Sequence, residues 1–421
     1  MTERTTLQDP PTTMRPWFFA ALCNLLVAAC IGVVLRSIYL VEIPFVHFKP
    51  LLHAHSHVAM LGWLFIALAL FLLRDETPSG PSRLSSRLLL VAQLAVVAML
   101  FSFPLQGYGS VSIPASSLHL LVSYALGWRI WIATRGWAVQ GSRLLARVAV
   151  VMMAISTIGV WAMGPILANK LFGSELYYWS IQFFLHFQFN GWFWFAALAL
   201  WSRWAETHGV ARPLDRLTIR LWTVSAFLTF ALAIAWSERH PLVYAVNSVG
   251  VILQLWAGWR TANAIRSAQA SLYTKASLWA WRCVTYALIG MGLKVLMQAA
   301  VAIPQVAILA FTVRNFVIGF IHLNMLGTIS LMLFSMALLE GWFIATHRTA
   351  RIGLSLFTTG VLLSEALLFG QGALWWLGLG NIPGYYAWLV GCSALIPVGV
   401  GVLLVHGLKR QASQPSVEDP A

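Results

Sequence analysis

Apolar residues in this chain come in long unbroken runs separated by short polar connections, not in the two-residue alternation of half-buried strands. A run of roughly 18–20 apolar residues is enough to cross a bilayer as a helix. By that measure the pattern predicts about twelve spans, at 17–40, 53–74, 86–104, 112–134, 144–168, 177–201, 217–236, 241–262, 280–302, 313–340, 352–377 and 385–407. Continuous runs imply helices, because a membrane barrel would alternate. The expected fold is an all-α polytopic membrane protein with a polar N-terminal segment (1–16), a single membrane domain (17–407) and a short disordered tail (408–421). The loops leave no room for a soluble domain, so any chemistry must sit among the helices.

Composition agrees: 59% of residues are hydrophobic and only 10% charged. The net charge of +14 would by itself suggest an acidic partner. Its distribution says otherwise, because with the N-terminus inside almost every Lys and Arg falls at a cytoplasmic helix end. Only Arg36, Lys49, Lys170, Arg239 and Arg314 fall outside, and Lys294 falls mid-span. The positive-inside rule accounts for the excess without nucleic acid and places both termini in the cytoplasm of a bacterial-type inner membrane, with lipid as the expected surroundings. Cys23, Cys30, Cys283 and Cys392 lie within spans and form no CxxC pattern, which excludes a zinc ribbon and covalent c-type heme attachment.

Against this apolar background three histidines recur in nearly one phrase: His57-Val-Ala-Met60-Leu61-Gly62-Trp63, His186-Phe-Gln-Phe-Asn190-Gly191-Trp192 and His322-Leu-Asn-Met325-Leu326-Gly327. They lie on the second, sixth and tenth spans at intervals of about 130 residues, the mark of three four-helix units in a pseudo-threefold repeat. All three spans run from outside to inside, so the histidines share a depth in the outer half. His119, on the fourth span, joins that layer, as does His240 at an outer mouth. An imidazole in hydrocarbon is costly unless something binds its nitrogens, which points to a built heme or metal site. His47, His208, His347 and His406 are expected to be solvated or interfacial.

The cluster His53-Ala-His55-Ser-His57 sharpens this. Residues two apart on a helix diverge by about 200°, so His53 and His57 share a face and His55 points away from it. One helix can thereby serve two centres. Trp63, Phe187, Phe189, Trp192, Phe193 and Phe320 are candidates to pack a porphyrin edge, whereas Gly62, Gly191 and Gly327 fit close approach of a cofactor or tight helix packing. Lys294 and Glu365 are buried charges, either members of a proton path or a salt bridge between the ninth and eleventh spans. Arg314, eight residues above His322, suits a heme propionate or the membrane interface.

This layout resembles the heme-copper oxidase subunit I superfamily, which has twelve helices in three four-helix arcs and metal ligands on helices 2, 6 and 10. Within it the chain is most similar to the NnrS family, associated with nitric oxide stress, through His53-Ala-His55 and His322-x-x-x-x-Gly327-Thr-Ile. The phrase His55-Ser-His57 also resembles the H-x-H of C-type oxidases and nitric oxide reductases. The chain departs from oxidases in having no His-His pair anywhere, and its tenth span carries a single histidine. The resemblance therefore implies heme, with copper or non-heme iron as a second metal, without implying proton-pumping oxygen reduction. It makes His57 and His322 heme ligands, with His53 or His55 as alternatives, and His186 and His119 candidates for a second metal or for the opposing axial position. The expected activity is electron transfer or the handling of nitric oxide or oxygen, an oxidoreductase drawing on a quinol or a cytochrome. A proton-coupled transporter and a non-catalytic heme-binding relative are the competing readings.

Overall fold

Ser82, Ser174, Asp215 and Ser277 each accept a hydrogen bond from the backbone N–H three residues on, at 3.2, 3.3, 2.9 and 3.2 Å. Each is a helix N-cap, where a side-chain oxygen satisfies one of the otherwise orphaned amides. These caps set the starts of four of the helices that the apolar runs form. The computed structural model describes residues 13–137, 140–238 and 240–412. Arg239 and most of the expected N-terminal segment and C-terminal tail lie outside the described residues.

All twelve predicted runs are helical: α1 (Met14–Ser37), α2 (Phe48–Leu72), α3 (Arg83–Gln106), α4 (Ser112–Ala133), α5 (Gly141–Ala168), α6 (175–207), α7 (Arg216–Ile234), α8 (Pro241–Lys275), α9 (Leu278–Ala300), α10 (Arg314–Leu339), α11 (Arg348–Trp376) and α12 (Tyr385–Lys409). Ten are long and apolar enough to cross a membrane. The two outside that set are α4 and α6, whose interiors carry His119, Ser123 and Arg129, and Gln182, His186, Gln188 and Asn190. No strand occurs among the described residues. The helix α8 runs well past its predicted end at 262, because the alanine-rich stretch after Arg260 has no Gly or Pro to stop it.

Two of the helices, α2 and α10, are the most enclosed, with 72% and 61% of their apolar windows buried against 28–44% for the other eight spanning helices. Nearly every residue of α6 from His186 to Ser202 is also buried, and these three helices pack on one another. Around them α1 packs on α12, α11 on α12, α3 on α4, α5 on α6, α7 on α8 and α9 on α10. The outer helices present Phe101, Trp128, Ile252 and Trp259 outward, as lipid-facing surfaces must. At two crossings glycine is required: a Cβ on Gly159 would collide with the Ser180 carbonyl, and one on Gly399 with the backbone of Phe357 and Gly353.

A shared backbone feature follows each recurrent histidine. Val58–Phe65, Gln188–Trp192 and Leu323–Ser330 are π-helical, so α2, α6 and α10 each widen at the same point in their phrase. In α10 the hydroxyls of Thr328 and Ser330 donate to carbonyls five residues back, at 3.2 and 2.8 Å, answering groups that the widened turn displaces. Such turns concentrate at functional sites.

The basic end of the bundle is closed by ion pairs. Arg74 binds Glu340 at 2.5 Å and Arg203 binds Asp75 at 2.9 Å, joining the ends of α2, α10 and α6. In the α2–α3 loop Glu76 accepts bonds from Ser82 N, Ser82 Oγ, Ser85 Oγ and Arg129. Burial raises the pKa of this carboxyl, but the hydrogen bonds from Ser82 and Ser85 and the Arg129 guanidinium outweigh it, so its pKa lies below the ordinary 4.5. A folded pKa below the unfolded one means stability that is present above pH 4.5 and lost as pH falls through the folded value. Thermal unfolding in detergent from about pH 6 to about pH 3 should therefore show a destabilisation that Glu76→Gln largely removes. An unchanged acid limb in that variant would contradict the assignment.

Candidate functional site

The helical geometry of α2 decides which histidine meets which neighbour. His53 and His57 do share a face, and both lie against Phe103 and Tyr108, with His57 4.4 Å from the Phe103 ring and His53 4.9 Å from Tyr108. His57 also donates through Nδ1 to the His53 carbonyl at 2.8 Å. His55 turns the other way, toward α1 and α10. Its Nδ1 donates to the Ala28 carbonyl at 2.8 Å, and its ring rests on Gly32, where a Cβ would come within 3.1 Å of Cε1. Gly32 is thus the position that lets α1 approach the imidazole.

Across from His55 stands His322 of α10. The two ring centres are 6.4 Å apart and the planes nearly perpendicular, at 75°. The Nδ1 of His322 is buried without a hydrogen-bond partner. His55 has its outer nitrogen anchored on a backbone carbonyl, which selects the tautomer with a free Nε2 and orients the ring. For comparison, a metal–nitrogen bond of about 2 Å on each side, plus about 1 Å from nitrogen to ring centre, puts two imidazoles sharing one metal about 6 Å apart.

The expected trio does not converge. His186 is fully engaged, donating from Nε2 to the Ala226 carbonyl at 2.7 Å and accepting at Nδ1 from Asn190 at 3.3 Å, so neither nitrogen is free for a metal. His119 is buried edge-on to Phe65 at 4.9 Å, with Nε2 lacking a partner. Among the described residues no three His, Cys, Asp or Glu side chains come together in a way that holds a metal ion. The donor set therefore discriminates between cofactors. Two imidazoles are too few for zinc or copper, which need three or four protein ligands, but suffice for a heme iron whose other four bonds come from the porphyrin.

Several candidate residues have other roles. Trp63 donates to Ser330 Oγ at 2.8 Å and ties α2 to α10, while Trp192 and Phe193 are enclosed in the core. A Cβ on Gly62 would press on Asn24 and Val96, and one on Gly191 on Met152, so both glycines serve helix packing. Arg314 is exposed and stacked over Phe48 at 5.5 Å, an interfacial position. His240 caps α8 by accepting from Leu242 N at 3.2 Å. His47, His208 and His347 are exposed as expected, but His406 is buried, accepting from Ile344 N at 3.3 Å and paired with Thr349 at 2.9 Å.

The buried charges are also partnered differently. No ion pair joins Lys294 to Glu365 among the described residues. Lys294 lies over the Trp194 ring, and the charge acting on Glu365 is that of Arg36. Arg36 hydrogen-bonds Ser393 of α12 and lies within electrostatic reach of His55 and His322. It is the one site residue that sequence reading passed over. Its signal was an arginine directly after Gly32-Val-Val-Leu, which charge counting assigned to a helix end. A scan against protein-family models finds no match for this chain, and a search of curated proteins finds no similar one.

Proposed function

We propose that this is a heme-binding membrane protein in which His55 and His322 would hold the heme iron, within twelve spans arranged as three four-helix arcs. The observation that carries it is the facing pair of imidazoles at 6.4 Å, one of them held by a backbone carbonyl, with no group of three metal-binding side chains among the described residues. A site in which two imidazoles would hold the iron would suit electron transfer better than binding of a substrate. When bound, heme supplies a one-electron redox centre. The chain's own residues would orient it: Ala28 and Gly32 seat His55, and the partly buried Arg36 adds positive charge within reach of both imidazoles.

In this reading α4 and α6 cross the membrane with the other ten. Their polar residues are sheltered inside the bundle, which is how intramembrane polar groups are tolerated. The positive-inside distribution supports a basic end on the cytoplasmic side of a bacterial-type inner membrane, which would leave the histidine pair in the outer half. A quinol or a cytochrome is the donor class that such a centre would draw on, and nitric oxide or oxygen chemistry would follow downstream.

The test is a reduced-minus-oxidised spectrum of the detergent-purified protein with metal analysis on the same sample. Sharp bands with stoichiometric iron are expected. A colourless protein, after expression with adequate heme supply, would overturn the reading and move a proton-coupled transporter to first place.

A further inference from the structure

At the basic end of the bundle the described carboxylates, Asp75, Glu76, Glu206, Asp215 and Glu340, are all taken. Asp75 binds Arg74 and Arg203, Glu76 binds Arg129, Asp215 binds Arg260, Glu340 binds Arg74, and Glu206 accepts from the backbone N–H of Ser142. Two arginines of α11 are left over. Arg348 and Arg351 are exposed and form no ion pair among the described residues. Both line one groove of about 460 Å³, together with Trp279 of α9 and Ile352, Ser355 and Leu356 of α11. Trp279 brings in a third cation, because the exposed Arg282 lies over its ring at 4.8 Å.

The lining contributed by α11 changes character with depth. Positions 348, 351, 352 and 355 share one helix face, so the two guanidiniums are followed along the groove by Ile352 and then Leu356. At 1.5 Å per residue these lie about 6 and 12 Å further into the membrane than Arg348. Ile352 is 40% exposed, an aliphatic wall open to hydrocarbon. Cations at the water end with an apolar wall below them match a phospholipid, phosphate first and acyl chain beneath. A free inorganic anion would use the arginines and leave the apolar length and most of the volume unfilled. An uncharged lipid would do the reverse. A zwitterionic headgroup brings an ammonium, for which no unengaged carboxylate remains at this end among the described residues.

We propose that the groove between the first turns of α9 and α11 binds one anionic phospholipid with an uncharged headgroup, of the phosphatidylglycerol type. Arg348 and Arg351 donate to its phosphate, Arg282 adds charge beside Trp279, and an acyl chain lies along Ile352 and Leu356. The imidazole pair lies toward the other end of the bundle, since His322 is near the start of α10 and Glu340 near its close. The lipid site therefore stands whether or not heme is bound.

Native mass spectrometry of the full-length protein in detergent, titrated with phosphatidylglycerol, tests it. One lipid should be retained more tightly than the rest. Arg348→Gln combined with Arg351→Gln should weaken that binding about tenfold or more, since each basic residue at a membrane surface contributes several-fold. Arg83→Gln combined with Arg87→Gln removes the same charge from exposed positions of the same end outside the groove, and should leave the tight site unchanged. Phosphatidylcholine with the same chains should bind the wild type far more weakly, and glycerol 3-phosphate at equal concentration should not displace the lipid. Equal losses in the two arginine pairs, equal binding of the two lipids, or displacement by glycerol 3-phosphate would overturn the proposal.

Discussion

His55→Ala is expected to remove the heme bands and to lower bound iron at least about tenfold, and His322→Ala should do the same. His57→Ala should leave the spectrum in place. The three variants together separate two adjacent histidines of one helix that the repeat treated as interchangeable with their neighbours. The separation rests on direction: His55 faces His322 across 6.4 Å, whereas His57 lies against Phe103 and Tyr108. His55→Met is the sharper probe. A thioether in place of one imidazole should retain heme and raise its reduction potential, a readout that a merely structural role would not move. A spectrum that survives His55→Ala and disappears in His57→Ala would transfer the ligand to the other face of α2 and sink the present assignment.

The second large effect is expected at Arg36. Replacing it by leucine leaves Glu365 buried without the one charge that acts on it, and its Oε2 already lacks a hydrogen-bond partner. Arg36→Leu also loses the bond to Ser393, which links α1 to α12 where the bundle closes. Losing a hydrogen bond made by a charged group typically costs about 1.5–3 kcal/mol. Glu365→Gln keeps the shape, so its cost should be smaller. The double variant Arg36→Leu with Glu365→Leu reads the coupling between the two, which should lie within about 1 kcal/mol because no ion pair joins them among the described residues. Measured by denaturant or thermal unfolding in one detergent, strictly additive losses would show that the two charges do not depend on each other.

Much of the architecture was legible because it follows from solvent. Apolar runs of bilayer length have to become helices, so each of the twelve predicted runs is one, and the end of α8 was misplaced only because an alanine-rich helix continues past the apolar run. The 200° offset between alternate helical residues likewise foretold that His55 would part company with His53 and His57. What the offset leaves open is which face meets which helix. Repeat position favoured His57 over His55, yet the recurrence marked a backbone feature, the π-helical turn that begins just beyond each histidine. His186 shares the phrase and the turn but has both nitrogens consumed by Ala226 and Asn190.

Local pattern, then, determined the class of protein, the helices and the short list of polar residues that an apolar interior must account for. Only the tertiary structure decided how those residues pair. Arg36 comes within electrostatic reach of Glu365 across more than three hundred positions of chain, Lys294 finds Trp194 in place of a carboxylate, and His55 finds His322. Whether a buried nitrogen is a ligand, a hydrogen-bond donor or a bare charge depends on atoms within about 4 Å of it. In a helical bundle those atoms come from other helices, whose rotation and register are set by packing rather than by the sequence of the helix that carries the residue.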